Sequence, residues 1–159
     1  MDLDRRRTVA VTDKSSAYEA KRLRTRERLM GAAIAEFKRS GMADADVRAI
    51  VSAAGVAHGT FFFHFPTKEH VLLELELREE ERIAKQLARF IGSRRDLLST
   101  LREALRLLLD LERRLGALLF KDFLALHFSP TRPASDDATT HPVIVCVAAE
   151  IANARERGE

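Results

Sequence analysis

The 159-residue sequence predicts an all-α protein made of two helical parts. Apolar residues recur at three- and four-residue spacing in several segments, which is typical of helices that bury one face. No stretch shows the alternation of apolar and polar residues that marks a strand. Between residues 46 and 68, two short helical patterns meet at a glycine corner, the arrangement of a helix-turn-helix. We therefore expect an N-terminal three-helix domain, joined by a long helix to a second helical domain.

The start of the chain, residues 1–20, mixes charges without a clear period, and we interpret it as a flexible basic tail. Arg5, Arg6 and Arg7 could reach into a DNA minor groove, as basic arms do. The alternative is a solvated tail without a defined role. The sequence favours that alternative, because no further feature supports a basic arm.

The first helix is predicted over residues 21–40. Leu29, Ala33 and Phe37 lie on one face and should pack against the helix-turn-helix. Gly41 is a common type of C-terminal stop. Basic residues crowd the beginning of this helix: Lys21, Arg22, Arg24, Arg26 and Arg28. Such like charges repel one another unless anionic groups are near.

The helix-turn-helix segment begins at Asp46, a good N-cap because its carboxylate accepts backbone N–H groups of the first turn. Gly55 occupies the sharp corner, where a left-handed backbone favours glycine. Val56 fills the corner, and the second helix opens with small or polar residues. The first of the two helices places four apolar residues on one face: Val47, Ile50, Val51 and Ala54.

Four further helices are predicted after the corner. The fourth begins at Pro66-Thr67-Lys68 and is long enough to join the domain of residues 21–68 to that of residues 69–159. Glutamates and basic residues along it stand at the spacing of helical ion pairs. The remaining helices are predicted at 96–114, 115–128 and from Pro142 to about Gly158, with a Pro/Ser/Thr/Asp loop over residues 129–141.

Charge and cysteine content narrow the class of protein. The first 70 residues carry 13 Lys/Arg and 9 Asp/Glu, whereas the rest carry 14 and 15, so the basic part is the part with the helix-turn-helix. That distribution suits contact with phosphates. The single cysteine, Cys146, excludes an internal disulfide. No signal peptide or membrane-length apolar run is present, and we expect a cytoplasmic protein without a membrane partner.

The segment AxxAGVxxGTFFFHFPTK closely resembles the signature of the TetR family of bacterial repressors. The resemblance spans roughly Arg22 to Leu73 and rests on residues that share one register: Gly55, Val56, Gly59, Thr60, Phe61, His64, Phe65 and Lys68. It implies a DNA-binding domain followed by a ligand-binding and dimerisation domain. Proteins of this family usually continue with two further helices that form the dimer interface. Either the chain is truncated, or it dimerises differently as a weak homodimer.

The resemblance also implies a set of DNA contacts: Arg48, Ala57, His58, Gly59, Thr60, Phe62, Phe63, His64 and Lys68. Arg48 can reach a guanine edge or a phosphate, and Thr60 and His58 can bond base edges. His64 and Lys68, just beyond the reading helix, can contact phosphates. The structural alternatives are a packing role for His64 and a solvated surface position for Arg48.

The second domain offers candidates for an effector cavity: Leu108, Leu111, Phe120, Phe123, Leu124 and His127, with Phe128 beside them. A filled core would show the same periodicity. The five histidines have no metal-like spacing, so we expect no metal site and no cofactor. No phosphate loop, nucleophile elbow or catalytic triad is evident, which argues against an enzyme.

Three functions are compatible with this sequence. The leading one is a ligand-responsive repressor that binds palindromic operator DNA as a dimer and is released by a small apolar effector. The second is a DNA-binding protein without an inducer. The third is an interaction protein that forms mixed dimers with a full-length relative.

Overall fold

A computed structural model describes the backbone of residues 3–93, 96–130, 132–133 and 141–158, and side chains from residue 16 onward. These residues form seven helices and no strand, which confirms the predicted all-α class: α1 (Leu3–Ser40), α2 (Val47–Ala54), α3 (His58–His64), α4 (Lys68–Ile91), α5 (Leu97–Leu115), α6 (Ala117–His127) and α7 (Pro142–Arg157). Among the helices described, none is both long and apolar enough to cross a membrane.

The first helix begins at Leu3, so the boundary predicted at residue 21 is wrong. No Gly or Pro occurs before residue 31, and nothing in that run stops a helix. Residues 3–20 show no apolar period, so periodicity could not indicate this extension. The side chains of three basic residues lie outside the part that is described: Arg5, Arg6 and Arg7.

The helix-turn-helix is held on a core that α1, α2 and α3 share. The members of this core are all buried: Leu29, Met30, Ala33, Phe37, Ile50, Val51, Ala54, Phe61 and Phe65. The Asp46 carboxylate accepts the Arg48 backbone N–H at 2.8 Å, which confirms the predicted cap of α2. Gly55 has φ +62°, the left-handed conformation predicted for the corner.

Helix α4 runs from this head into the second domain, and it has buried residues in both parts. Three ion pairs follow its surface, at the helical spacing that was predicted: Glu74–Arg78, Glu79–Arg82 and Glu81–Lys85. Glu76 and Glu80 behave differently, because their side chains turn toward the inside of the second domain. The spacing of charged residues along one helix does not show which glutamates turn inward and which stay on the surface.

The second domain packs α5, α6 and α7 around the distal half of α4. Gly116, with φ +78°, separates α5 from α6. Along α7, Ala154 is buried whereas Ile151 is exposed, so the apolar residues of this helix are only partly covered. Residues 134–140 of the predicted loop lie outside the described ranges.

Two hydrogen bonds connect the head directly to the second domain. The Met42 backbone N–H, in the turn after α1, donates to the Asp122 carboxylate of α6 at 2.6 Å. The Lys38 ammonium donates to the Arg114 carbonyl at the end of α5, at 2.7 Å. The first bond joins α6 to the turn just before α2, and the second joins the end of α5 to α1.

Candidate nucleic-acid interface and effector cavity

Helix α3 divides its aromatic residues between two faces. Phe61 is fully buried in the head, whereas Phe62 and Phe63 are 49% and 68% exposed. Of the other predicted DNA contacts, four are exposed, namely Arg48, Ala57, His58 and Gly59, and three are half-buried, namely Thr60, His64 and Lys68. Most of the predicted contacts are therefore exposed to solvent, and their binding of DNA stays a prediction.

Two arginines of α1 hold the reading unit from behind. Arg26 lies over the Phe65 ring at 4.1 Å and donates to the His64 carbonyl and the Glu74 carboxylate. Arg28 donates to the Ala54 carbonyl at the C-terminus of α2. The sequence shows these two arginines only as members of the group of basic residues near the beginning of the predicted first helix. Their anionic and carbonyl partners come from α2, α3 and α4, so no pattern within α1 indicates the role.

The Lys68 ammonium is already engaged within the protein. It donates to the Ala43 carbonyl at 2.8 Å and to the Ala45 carbonyl at 3.2 Å, which connects the start of α4 to the turn before α2. An ammonium has three N–H donors, so one remains for a phosphate. The predicted phosphate contact is therefore compatible with this geometry, but Lys68 also has a structural role.

His64 is half-buried at the C-terminal end of α3. Burial lowers the pKa of its imidazole below the ordinary value, and the positive charges of Arg26 and Arg22 lower the pKa further. The ring is therefore neutral at pH 7 and offers a phosphate a hydrogen bond but no charge. Because the folded-state pKa is depressed, this group favours the folded state above its ordinary pKa, and that stability is lost as the pH falls.

An apolar cavity of about 230 Å³ lies between α4, α5, α6 and α7. It is lined by five of the six predicted residues, Leu108, Leu111, Phe123, Leu124 and His127, together with Glu80, Ile83, Phe128, Val143 and Ile144. Phe120 is not part of the lining, and its ring instead stacks on Phe123 at 6.3 Å. Whether the lining binds a ligand stays a prediction.

Five polar side chains form a cluster at one end of this cavity: Glu76, Glu80, His127, Arg132 and His141. His127 Nδ1 lies 2.5 Å from Glu76 Oε1 and 3.6 Å from Glu80 Oε1. His141 Nδ1 lies 3.1 Å from Glu80 Oε1, and the Arg132 guanidinium lies 3.3 Å from Glu76 Oε2. Of these five residues, only His127 could be predicted from the sequence as a cavity residue, because the others come from distant segments.

The protein has an N-terminal helix-turn-helix on a packed three-helix head, followed by a helical part with an apolar cavity. Residues 29–75 match the profile of the family described as bacterial regulatory proteins, tetR family. The head therefore matches the DNA-binding part of TetR-family regulators.

Relatives and solved structures show a similar likeness to TetR-type regulators. The chain is 35% identical over 75 residues to the HTH-type transcriptional repressor KstR of Mycolicibacterium smegmatis, a stretch that covers 47% of this chain and 37% of KstR. Thermus thermophilus FadR, a TetR-family repressor solved in complex with lauroyl-CoA, is 27% identical with a TM-score of 0.61, over 84% of this chain and 69% of FadR. A γ-butyrolactone receptor, an ArpA-like protein, is 26% identical with a TM-score of 0.56, over 86% and 70% of the two chains.

The match to KstR spans little more than a third of that protein's length. The match to FadR extends over most of this chain, and the likeness therefore includes the cavity-bearing domain.

Proposed function

We propose that this protein is a ligand-responsive transcriptional repressor, which binds palindromic operator DNA as a homodimer. The observation that carries the proposal is the division of α3 into a buried face and an exposed face beside an exposed Arg48. A helix that presents polar and aromatic side chains from a rigid support can enter the major groove. KstR and FadR are both named as repressors, which supports repression rather than activation.

The exposed surface offers several kinds of DNA contact. Thr60 and His58 can bond base edges, and Phe62 and Phe63 can pack on sugars or a thymine methyl group. Arg48 stands near the start of α2, where its guanidinium can reach a guanine or a phosphate. The half-buried His64 and the partly engaged Lys68 contribute one hydrogen bond each to the backbone. Because DNA is the partner, we place the action of the protein in the cytoplasm.

Replacing Arg48 with alanine is expected to weaken operator binding by about 1–3 kcal/mol, because a bidentate contact to a guanine is lost. The operator would first be selected from random duplex DNA, and affinities would then be measured by fluorescence anisotropy on the operator and on substituted operators. The variant should lose its preference at one base pair of each half-site.

Arg89→Ala is the matched control, since it removes the same charge from an exposed position in the last turn of α4. It should leave operator affinity nearly unchanged. An equal loss for Arg48→Ala on all sequences would show that Arg48 contacts only a phosphate. Failure of the unmodified protein to select any duplex sequence would contradict the proposed operator binding.

The effector that best fits the second domain is a small amphiphile with an acyl chain or ring and one polar end. The cavity is apolar over most of its surface, with Glu80 and His127 at one end. Its volume is slightly below the usual range of about 300–1,000 Å³, which favours a small ligand. The lauroyl-CoA complex of FadR and the ligand class in the name of the γ-butyrolactone receptor support an acyl or lactone compound.

Helix α6 provides a route from the cavity to the head. Phe123 and Leu124 line the cavity, and the preceding residue, Asp122, accepts the Met42 N–H in the turn before α2. A ligand that displaces α6 therefore changes the placement of α2 and α3. It favours release of DNA if it binds this displaced state more tightly than the DNA-bound state.

Titration with a medium-chain fatty acid or an acyl lactone is expected to raise the melting temperature and to lower operator affinity. Saturation at about 100 times the dissociation constant corresponds to roughly 2.7 kcal/mol of added stability. Leu124→Trp should abolish both effects, because the larger side chain fills the cavity. Leu118→Trp, on the exposed face of the same helix, should retain both effects. Equal responses in the two variants would place the ligand elsewhere.

Homodimer formation is supported by apolar side chains exposed along α5. Leu98, Leu101, Leu105 and Leu109 repeat at three- and four-residue spacing and are all exposed in the single chain. Such a stripe is typical of a helix that packs against another copy. A two-fold dimer would present two copies of α3 to half-sites one helical turn apart.

A further inference from the structure

We propose that Glu80, His127 and His141 bind one divalent transition-metal ion, such as Zn²⁺, at the polar end of the cavity. One ring nitrogen of each histidine and one oxygen of Glu80 lie within 4.8 Å of one another. The three residues come from α4, from the end of α6 and from the residue before α7, so the packed second domain holds them at fixed positions. None of them belongs to the predicted DNA surface.

The spacing of the donor atoms is close to that of a tetrahedral site. With metal–ligand bonds of about 2.0–2.1 Å, ligand atoms of a tetrahedral zinc site lie roughly 3.3 Å apart. His141 Nδ1 and Glu80 Oε1 are 3.1 Å apart, and His127 Nδ1 is 3.6 Å from the same oxygen. The two imidazole rings have centroids 4.8 Å apart and are tilted by 60°, so they are not stacked on each other. Only small side-chain movements are needed to place an ion between them.

The donor set selects a class of metal. Two imidazole nitrogens and one carboxylate oxygen suit Zn²⁺, Co²⁺ and Ni²⁺ better than Mg²⁺ or Ca²⁺, which prefer oxygen ligands. Two histidines and one glutamate are also a ligand set of zinc sites that retain an open coordination position. Since Glu80 and His127 line the cavity, the open position faces it and can take a water molecule or a ligand oxygen.

Charge and hydrogen bonding in the cluster also favour a cation. Two carboxylates, from Glu76 and Glu80, face a single guanidinium, from Arg132, and with neutral imidazoles the cluster has one excess negative charge. Glu80 Oε2 is buried and has no hydrogen-bond partner among the described residues. A buried acceptor without a partner is costly, and a metal ion bound by this carboxylate would remove that cost.

Glu76 supports the site from behind. It is fully buried, and its Oε1 forms a hydrogen bond with His127 Nδ1 at 2.5 Å. An ion bound through Nδ1 would take the place of the proton in this hydrogen bond. The Glu76 carboxylate would then lie next to the ion, where its negative charge favours a bound cation.

The test measures Zn²⁺ binding to the untagged full chain after treatment with a chelator. Isothermal titration with Zn²⁺ is expected to give one ion per chain, and Co²⁺ should give the visible absorption of a tetrahedral site. Glu80→Gln and His141→Gln should each weaken Zn²⁺ binding at least about tenfold, since each removes a ligand. Glu76→Gln leaves the three ligands in place, and its loss of Zn²⁺ affinity should not exceed about 100-fold.

His70→Gln is the matched control, because His70 lies on the same long helix but bonds Thr67 near the head. It should leave Zn²⁺ affinity unchanged. His141 precedes α7 and is partly exposed, so its replacement tests the site without removing a core side chain, and circular dichroism would verify folding. Absence of Zn²⁺ binding, or equal affinity in the His141 and His70 variants, would overturn the proposal. The measurement needs no DNA, so its outcome is independent of operator binding.

Discussion

Replacing Phe61 with alanine is expected to lower the free energy of unfolding by about 3–5 kcal/mol. Phe61 is fully buried and contacts the rings of Phe62 and Phe65 at centroid distances of 5.3 and 6.0 Å. Removing the ring leaves a cavity among α1, α2 and α3 that the short α3 cannot close. Because a domain is usually stable by only about 5–15 kcal/mol, much of the head would be unfolded. Urea denaturation followed by circular dichroism would measure the change.

The neighbouring Phe63 provides the matched control, since it carries the same ring on the exposed face of α3. Phe63→Ala should change the free energy of unfolding by no more than about 0.5 kcal/mol, as is usual for surface positions. If the protein binds DNA through α3, Phe63→Ala should weaken that binding while the fold is retained. Similar destabilisation by both substitutions would mean that the two faces of α3 are not divided as described.

Replacing Glu76 with alanine is expected to destabilise the protein by about 3–5 kcal/mol, the usual cost of removing one partner from a buried ion pair. The Glu76 side chain is completely buried beside His127 and Arg132, and its loss leaves the Arg132 guanidinium without that carboxylate. Thermal and urea unfolding would measure the effect. Glu76→Gln should cost less, because an amide retains one hydrogen bond to the imidazole.

Glu81→Ala, on the exposed side of the same helix, is the control for this substitution. Glu81 pairs with Lys85 in solvent, and exposed pairs of this kind contribute little to stability, because water screens the two charges. A small effect for Glu76→Ala, comparable to that of Glu81→Ala, would contradict a buried and paired position for Glu76. The comparison keeps residue type, helix and substitution constant and changes only burial.

The helix-turn-helix could be predicted almost completely because its determinants are local. Asp46 caps the first turn through a bond to the residue two positions later, and Gly55 is at the corner that requires a left-handed backbone. The buried positions of α2 follow from the 3.6-residue period. The beginning of α1 was predicted wrongly, since residues 3–20 show no apolar period.

The second domain could be predicted only in part. The periodicity of α5 and α6 indicates which residues face inward within each helix. Five of the six residues that it grouped together line the cavity. It could not exclude Phe120, because the exact rotation of α6 against α5 is set by packing between the helices. It also gave no sign of the hydrogen bond from Met42 to Asp122, which joins segments 80 residues apart.

The sequence by itself determined the all-α class, the helix-turn-helix with its cap and corner, and the resemblance to the TetR family. These features depend on contacts within a few residues, which a pattern along the chain can record. Only the tertiary structure decided that the Lys68 ammonium lies on two carbonyls and that Glu76, Glu80, His127 and His141 form one cluster. The bonds from His127 to Glu76 and from His141 to Glu80 span 51 and 61 residues, and such contacts form only when packed helices bring distant side chains together.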